Sequence, residues 1–76
     1  MKSPMQILKN KGFNTNESLN IIKRITKHIY FCMDNDQNFD ETVYYVNQDF
    51  TFCTESLIIE IGLLDEKIEK YYLTRC

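Results

Sequence analysis

The strongest limits on the fold come from helix start and stop signals at the beginning of the chain. Ser3 followed by Pro4 is typical of a helix cap with proline at the first helical position. Gly12 stands where a left-handed residue usually ends a helix, and Phe13 is expected to fold back onto Leu8 in a Schellman turn. The sequence therefore predicts a short first helix that ends just before Gly12.

A second helix is predicted to follow directly. Asn14 and Glu17 have the spacing of a capping box, which starts a helix at Thr15. This helix is expected to extend to about Met33, because apolar residues recur at helical spacing along one side of it. They are Leu19, Ile21, Ile22, Ile25, Ile29, Tyr30, Cys32 and Met33. The beginning of the chain therefore predicts a helix–turn–helix hairpin.

The middle of the chain permits two interpretations. Apolar residues recur there at helical spacing, and Asp40 precedes them as a suitable helix cap. They are Val43, Val46, Phe50 and Cys53. The same stretch is rich in β-branched and aromatic residues on both sides of a polar turn, which is typical of a β-hairpin at about 42–53. We favour the helix, because the turn contains no glycine and a lone hairpin is only marginally stable.

The end of the chain predicts a long last helix over about residues 54–74. Its apolar seam comprises Leu57, Ile61, Leu64, Ile68 and Tyr71. Gly62 inside a helix costs about 1 kcal/mol relative to alanine, so a close packing contact is expected there. Ile59 and Leu63 lie behind the seam. They are apolar side chains beyond those that one small core needs to bury.

These elements predict a mainly α fold, in which residues 1–76 form a single small domain, a bundle of three to four helices. The alternative is an α+β fold with the hairpin at about 42–53 packed on the helices. The apolar content of 43% is typical of globular proteins. A chain this short buries only roughly 60% of its unfolded surface, which leaves little room for an enclosed active-site cleft.

Charge is distributed unevenly along the sequence. Residues 1–27 carry a net charge of +5, residues 28–66 contain nine carboxylates and no lysine or arginine, and the last ten residues add +2. Such asymmetry bears on partners and association rates rather than on the fold. The chain also contains no alanine. An AT-rich gene explains this most economically, and a short reading frame of that kind fits a phage or another mobile element.

No residue pattern predicts catalysis or a bound metal. His28 and Cys32 lie one helical turn apart, but no third group orients them, so we expect no enzyme. A zinc site that adds Cys53 and Cys76 to these two lacks the closely spaced ligand pairs of structural zinc sites. The run 34–40 imitates an EF-hand loop but has an aromatic residue where the loop needs glycine. We therefore expect no cofactor.

The expected function is that of a small non-enzymatic interaction protein, an inhibitor or regulator that binds a host protein. A basic nucleic-acid-handling protein is one candidate partner. Complementary charge would speed that encounter and suppress wrong partners. The expected acidic and apolar surface comprises Asp49, Glu55, Ile59, Glu60, Leu63 and Glu66. Pairing of two copies through Ile59 and Leu63 stays open. Because neither a secretory signal nor a membrane span is visible in the sequence, we expect a cytoplasmic protein.

The alternative function is a nucleic-acid-binding transcriptional regulator that uses the basic face of the second helix. This face combines cations with one aromatic ring that is suitable for stacking. Its residues are Lys23, Arg24, Lys27 and Phe31. The helix pair around Gly12 loosely resembles the DNA-binding helix-turn-helix motif. It departs from that motif because Ser18 stands where the motif has a buried aliphatic residue.

Overall fold

A computed structural model describes residues 3–73, and the chain is mainly α-helical, as predicted. The described residues form α1 (Pro4–Asn10), α2 (Thr15–Asp34), α3 (Phe39–Asp49), α4 (Glu55–Leu63), α5 (Glu66–Ile68) and a π-helical turn (Glu69–Leu73). These are five α-helices, so the predicted count of three to four is wrong. The alternative hairpin at about 42–53 is also wrong, because α3 covers most of that stretch.

The α1–α2 connection forms as the sequence predicts. Ser3 caps α1, and Gly12 has a φ of +104°, in the left-handed region. The Gly12 N–H donates to the Lys9 carbonyl at 3.0 Å, and the Phe13 N–H donates to the Leu8 carbonyl at 3.3 Å. These two bonds define a Schellman turn, which satisfies the last carbonyls of α1.

Capping boxes start both α2 and α3. At α2, Asn14 and Glu17 exchange side-chain bonds with each other's backbone N–H groups, as predicted. At α3, Asn38 and Glu41 form the same reciprocal pair, so the predicted cap Asp40 is wrong. The structure starts this helix two residues earlier, because Asn38 has a partner at the capping-box spacing and Asp40 lies inside the first turn.

Each of the five α-helices contributes apolar side chains to the core, and the π-helical turn contributes no buried residue. The buried members of the core are Leu8, Ile25, Ile29, Val46, Phe50, Cys53, Leu57, Ile58, Ile61 and Ile68. At the start of α2, Ser18 is buried whereas Leu19 is 47% exposed, contrary to the predicted apolar face. The reason is helical geometry: Ser18 lies seven residues before Ile25, on the same stripe, and Leu19 is rotated away from it.

The predicted long helix over residues 54–74 is wrong, because the chain turns at Leu64 and Asp65. The Leu64 N–H donates to the Ile61 carbonyl at 3.1 Å, which closes α4. The Asp65 side chain then accepts from the backbone N–H groups of Lys67 at 3.0 Å and Ile68 at 3.2 Å, and so caps α5. Leu64 thereby leaves the predicted seam and becomes 73% exposed.

After this bend the chain returns across the end of α4, close to Gly62. A Cβ atom added at Gly62 would lie 3.1 Å from Ile68 Cγ2 and 3.2 Å from Leu73 Cδ1. The predicted close packing contact is therefore confirmed. The π-helical turn is also tied to α3, because the Tyr72 hydroxyl lies 2.7 Å from Oγ1 of the buried Thr42.

Candidate interaction surfaces

The residues predicted to bind a partner are distributed over three helices. Glu55, Ile59, Glu60 and Leu63 lie on α4, Asp49 ends α3, and Glu66 begins α5. Two of the acidic members have partners within the chain. Asp49 Oδ2 lies 2.7 Å from His28 Nε2, and Glu66 Oε1 lies 2.9 Å from Lys70 Nζ. The α4 residues are therefore the part of this set in which an acidic charge stays available to a partner.

The end of α4 presents two consecutive leucines to solvent. Leu63 is 39% exposed and Leu64 is 73% exposed, while Ile59 and Glu60 are half-buried. Ile59 and Leu63 are four residues apart, as are Glu60 and Leu64, so each pair shares one side of the helix. We call Ile59, Glu60, Leu63 and Leu64 the α4 end surface. Within residues 3–73, the side chains of Leu63 and Leu64 are left partly uncovered.

A polar contact from α2 holds this corner in place. The Tyr30 hydroxyl donates to the Asp65 carboxylate, at 2.7 Å from Oδ1 and 2.6 Å from Oδ2. The hydrogen bond from Tyr30 lowers the pKa of Asp65, and the same bond raises the pKa of Tyr30. Because Asp65 also caps α5, one side chain fixes both the bend and its position against α2.

Sequence reasoning missed this contact and the exposure of Leu64. The available signal was Asp65 itself, a strong N-cap residue in the middle of a predicted helix and shortly after Gly62. Its acceptor role for Tyr30 connects residues 35 positions apart. No local pattern encodes such a contact.

The predicted nucleic-acid face on α2 is partly engaged with α3 and with Phe50, the residue that follows this helix. The Arg24 guanidinium carbon lies 5.1 Å from the centre of the Phe50 ring, in a cation–π contact. Phe31 is 50% exposed and stacks on Tyr45, with ring centres 5.2 Å apart. Lys23 and Lys27 are exposed, and within residues 3–73 neither side chain has a hydrogen bond or ion pair.

The ring contact explains why an aromatic residue stands among the cations of α2. The position of Phe31 in the sequence places it on the outer side of α2, among the cations. Tyr45 of α3 covers one face of the Phe31 ring. His28 contributes a further ring contact with Tyr45, at 5.4 Å between ring centres. The predicted nucleic-acid face of α2 therefore packs against α3, which carries acidic residues, so this face is not a uniformly positive patch.

The two cysteines that the structure describes are buried free thiols. Burial raises the pKa of Cys53 to about 11 and also raises the pKa of Cys32. Both sulfurs are therefore protonated near neutral pH, which disfavours nucleophilic attack and metal ligation. Cys76, the fourth member of the zinc set considered above, lies outside the described residues. Among residues 3–73 no group of three or more metal-ligating side chains is close enough to hold an ion.

Comparison with known proteins adds no functional information. No family model matches the chain, and no curated protein or solved structure is significantly similar to it. Within the described part of the chain, every helix is too short or too polar to cross a bilayer. Inference about function therefore starts from the surfaces described above.

Proposed function

We propose that this protein is a small non-enzymatic inhibitor or regulator, encoded by a phage or another mobile element, that binds a basic protein of its host. Binding uses the α4 end surface together with Glu55 at the start of the same helix. The observation that carries the proposal is the exposure of Leu63 and Leu64, at 39% and 73%, beside Glu60.

Apolar side chains at the centre of an interface supply much of its binding energy once a partner removes them from water. Leu63 and Leu64 have this role in the proposal. Glu55 and Glu60 form an acidic rim, and within the described residues neither has an ion-pair partner. A basic partner would be attracted by that rim and orientated by it.

The test compares two variants in affinity capture from a lysate of the native host, followed by measurement of the affinity for the captured protein. The first variant carries Leu63→Ser and Leu64→Ser. The control carries Leu19→Ser, which removes another exposed leucine from α2. We expect the first to lose the partner, with Kd raised at least tenfold, and the control to retain it. Equal affinity of the two variants would overturn the proposal.

A second copy of the chain is the competing occupant of the α4 end surface. Sedimentation of the wild type and of Leu64→Asp distinguishes it from a host partner. A wild-type dimer that the substitution converts to a monomer would assign the surface to self-association. A wild type that sediments as a monomer at all concentrations supports the host protein.

Lys23 and Lys27, which are exposed and lack partners within residues 3–73, favour nucleic-acid binding as the second candidate function. Phosphate binding by these lysines would release counterions, so affinity would fall steeply with salt. The test measures binding to DNA and RNA at several salt concentrations for the wild type and for Lys23→Glu with Lys27→Glu. Sub-micromolar, salt-sensitive binding that this variant loses would replace the protein-partner proposal.

A further inference from the structure

A groove lies along the first turns of α3, on a part of the molecule that the proposed function does not use. Its volume is about 410 Å³. It is lined by Gln37, Asp40, Glu41, Tyr44 and Tyr45. The lining therefore combines two phenol rings with two carboxylates and contains no cation.

The two rings differ in how firmly they are held. Tyr45 is half-buried, stacks on Phe31 of α2 at 5.2 Å and meets the edge of His28 at 5.4 Å. Tyr44 is 71% exposed and has no ring contact within residues 3–73. One wall of the groove is thus braced by α2, and the other presents an uncovered ring to solvent.

The two carboxylates precede these rings by one helical turn. Asp40 lies four residues before Tyr44, and Glu41 lies four residues before Tyr45, so each acid shares a side of α3 with a ring. Glu41 Oε1 accepts from the Asn38 backbone N–H at 2.9 Å, and its second oxygen takes no part in the capping box. Asp40 is exposed, and within the described residues its side chain has no hydrogen bond or ion pair.

This combination fits a flat cation better than any other common group. A guanidinium stacks on aromatic faces and donates paired hydrogen bonds to a carboxylate, whereas a compact ammonium supplies the charge without the flat surface. An anion would face two carboxylates, and a neutral ligand would gain no ionic attraction from the exposed carboxylate of Asp40. Residues 28–66 contain no lysine or arginine, so no cation of this segment competes for the site.

We propose that the α3 groove binds an arginine side chain presented by a protein partner. The guanidinium lies against Tyr44 and Tyr45 and donates hydrogen bonds to Asp40. The proposal does not depend on the α4 end surface, because the two sets of residues lie on different helices.

The test titrates the ¹⁵N-labelled chain with the peptide acetyl-Gly-Gly-Arg-Gly-Gly-amide and follows chemical shifts. The matched probe replaces arginine by citrulline, which has nearly the same shape but no charge. We expect saturable shifts confined to residues 37–45 with the arginine peptide and no saturation with the citrulline peptide. Equal binding of both peptides, or shifts centred on α4 or α2, would overturn the proposal. Shifts in this groove that depend on protein concentration alone would assign it to a second copy instead.

Variants then separate a specific site from general attraction between opposite charges. Tyr44→Ala and Asp40→Asn should each weaken arginine binding by about two- to fivefold, as expected for an exposed cation–π or charge-assisted contact. Asp34→Asn removes the same charge at the end of α2, outside the groove lining, and should leave binding unchanged. Because all three residues are exposed, their substitution should leave the fold intact. Equal weakening by Asp40→Asn and Asp34→Asn would show charge attraction alone and contradict the proposed groove.

Discussion

Helix α2 contacts the second half of the chain at two places, and the two contacts leave very different surfaces. At the α4–α5 corner, Tyr30 binds Asp65, and the corner turns Leu64 outward. On the α3 side, His28 pairs with Asp49, and the neighbouring cations and rings pack on one another. The contact at the α4–α5 corner leaves apolar groups exposed. The contact on the α3 side pairs charges and rings within the chain that the sequence alone predicted to be available to a partner.

The difference between these two contacts of α2 determines which predicted surface residues remain available to a partner. Charge and ring patterns along α2 predict a basic face, but Phe50 contacts Arg24, and Tyr45 of α3 covers one face of Phe31. The apolar pattern of α4 predicts a core seam, but the bend at Asp65 removes Leu64 from it. A surface is therefore best judged by what the chain leaves uncovered, since pairing within the chain lowers what a side chain can still gain from a partner.

The largest expected effect belongs to Asp65→Ala. This substitution removes the cap of two backbone N–H groups of α5 and leaves the Tyr30 hydroxyl without its acceptor. The free energy of unfolding should fall by about 1–3 kcal/mol. Urea denaturation measures it, with Asp49→Ala as the control for loss of an acid at the other contact. Equal losses for the two variants would mean that the corner is no stronger than the α3 contact.

The pH dependence of stability should sharpen the same contrast. The Tyr30 hydrogen bond lowers the pKa of Asp65 in the folded chain. A carboxyl group with a lowered folded pKa stabilises the fold above its unfolded pKa of about 4, and this contribution disappears as pH falls through the folded value. The wild-type urea midpoint should therefore fall more steeply below about pH 4 than that of Asp65→Asn, which keeps a capping side chain but does not titrate there. Parallel pH profiles would contradict the assigned role of Asp65.

Local signals explain which parts of the fold were predictable. The α1–α2 hairpin depends on Ser3, Gly12 and the Asn14–Glu17 box, whose partners all lie within a few residues. The helical choice for the middle of the chain was also correct, although the cap was misplaced. These elements follow from short-range hydrogen bonding, which a sequence displays directly.

The α4–α5 bend was missed, because two regular patterns conceal the capping signal of Asp65. The apolar spacing of Leu57, Ile61, Leu64 and Ile68 continues across the bend, and an acidic residue at position 65 fits the polar side of a continuous helix equally well. The bend is stabilised by Tyr30, which is distant in sequence, and by the close approach of Ile68 to Gly62. For the same reason the α3 groove, whose wall depends on the Phe31–Tyr45 stack, had no signal in the sequence.

A smaller effect is expected at the His28–Asp49 pair. Asp49 is largely exposed, and exposed ion pairs usually contribute about 0.2–1 kcal/mol. A double-mutant cycle with His28→Asn and Asp49→Asn isolates the coupling from the ring contacts that His28 also makes. When the His28 imidazole is protonated, the coupling should shrink in 1 M salt, because salt screens exposed charges. A coupling well above 1 kcal/mol would make the two contacts of α2 equivalent and break the comparison.

The smallest expected effect on stability is that of Leu64→Ser. Substitutions of exposed residues usually change the free energy of unfolding by no more than about 0.5 kcal/mol, and Leu64 is 73% exposed. Leu57→Ser, at a fully buried position of the same helix, is the contrasting control and should cost several-fold more. Urea denaturation of both variants gives the ratio. If Leu64→Ser destabilised the chain as much as Leu57→Ser, the leucine would be packed within the molecule, and the α4 end surface would lose the apolar group on which the proposed partner contact depends.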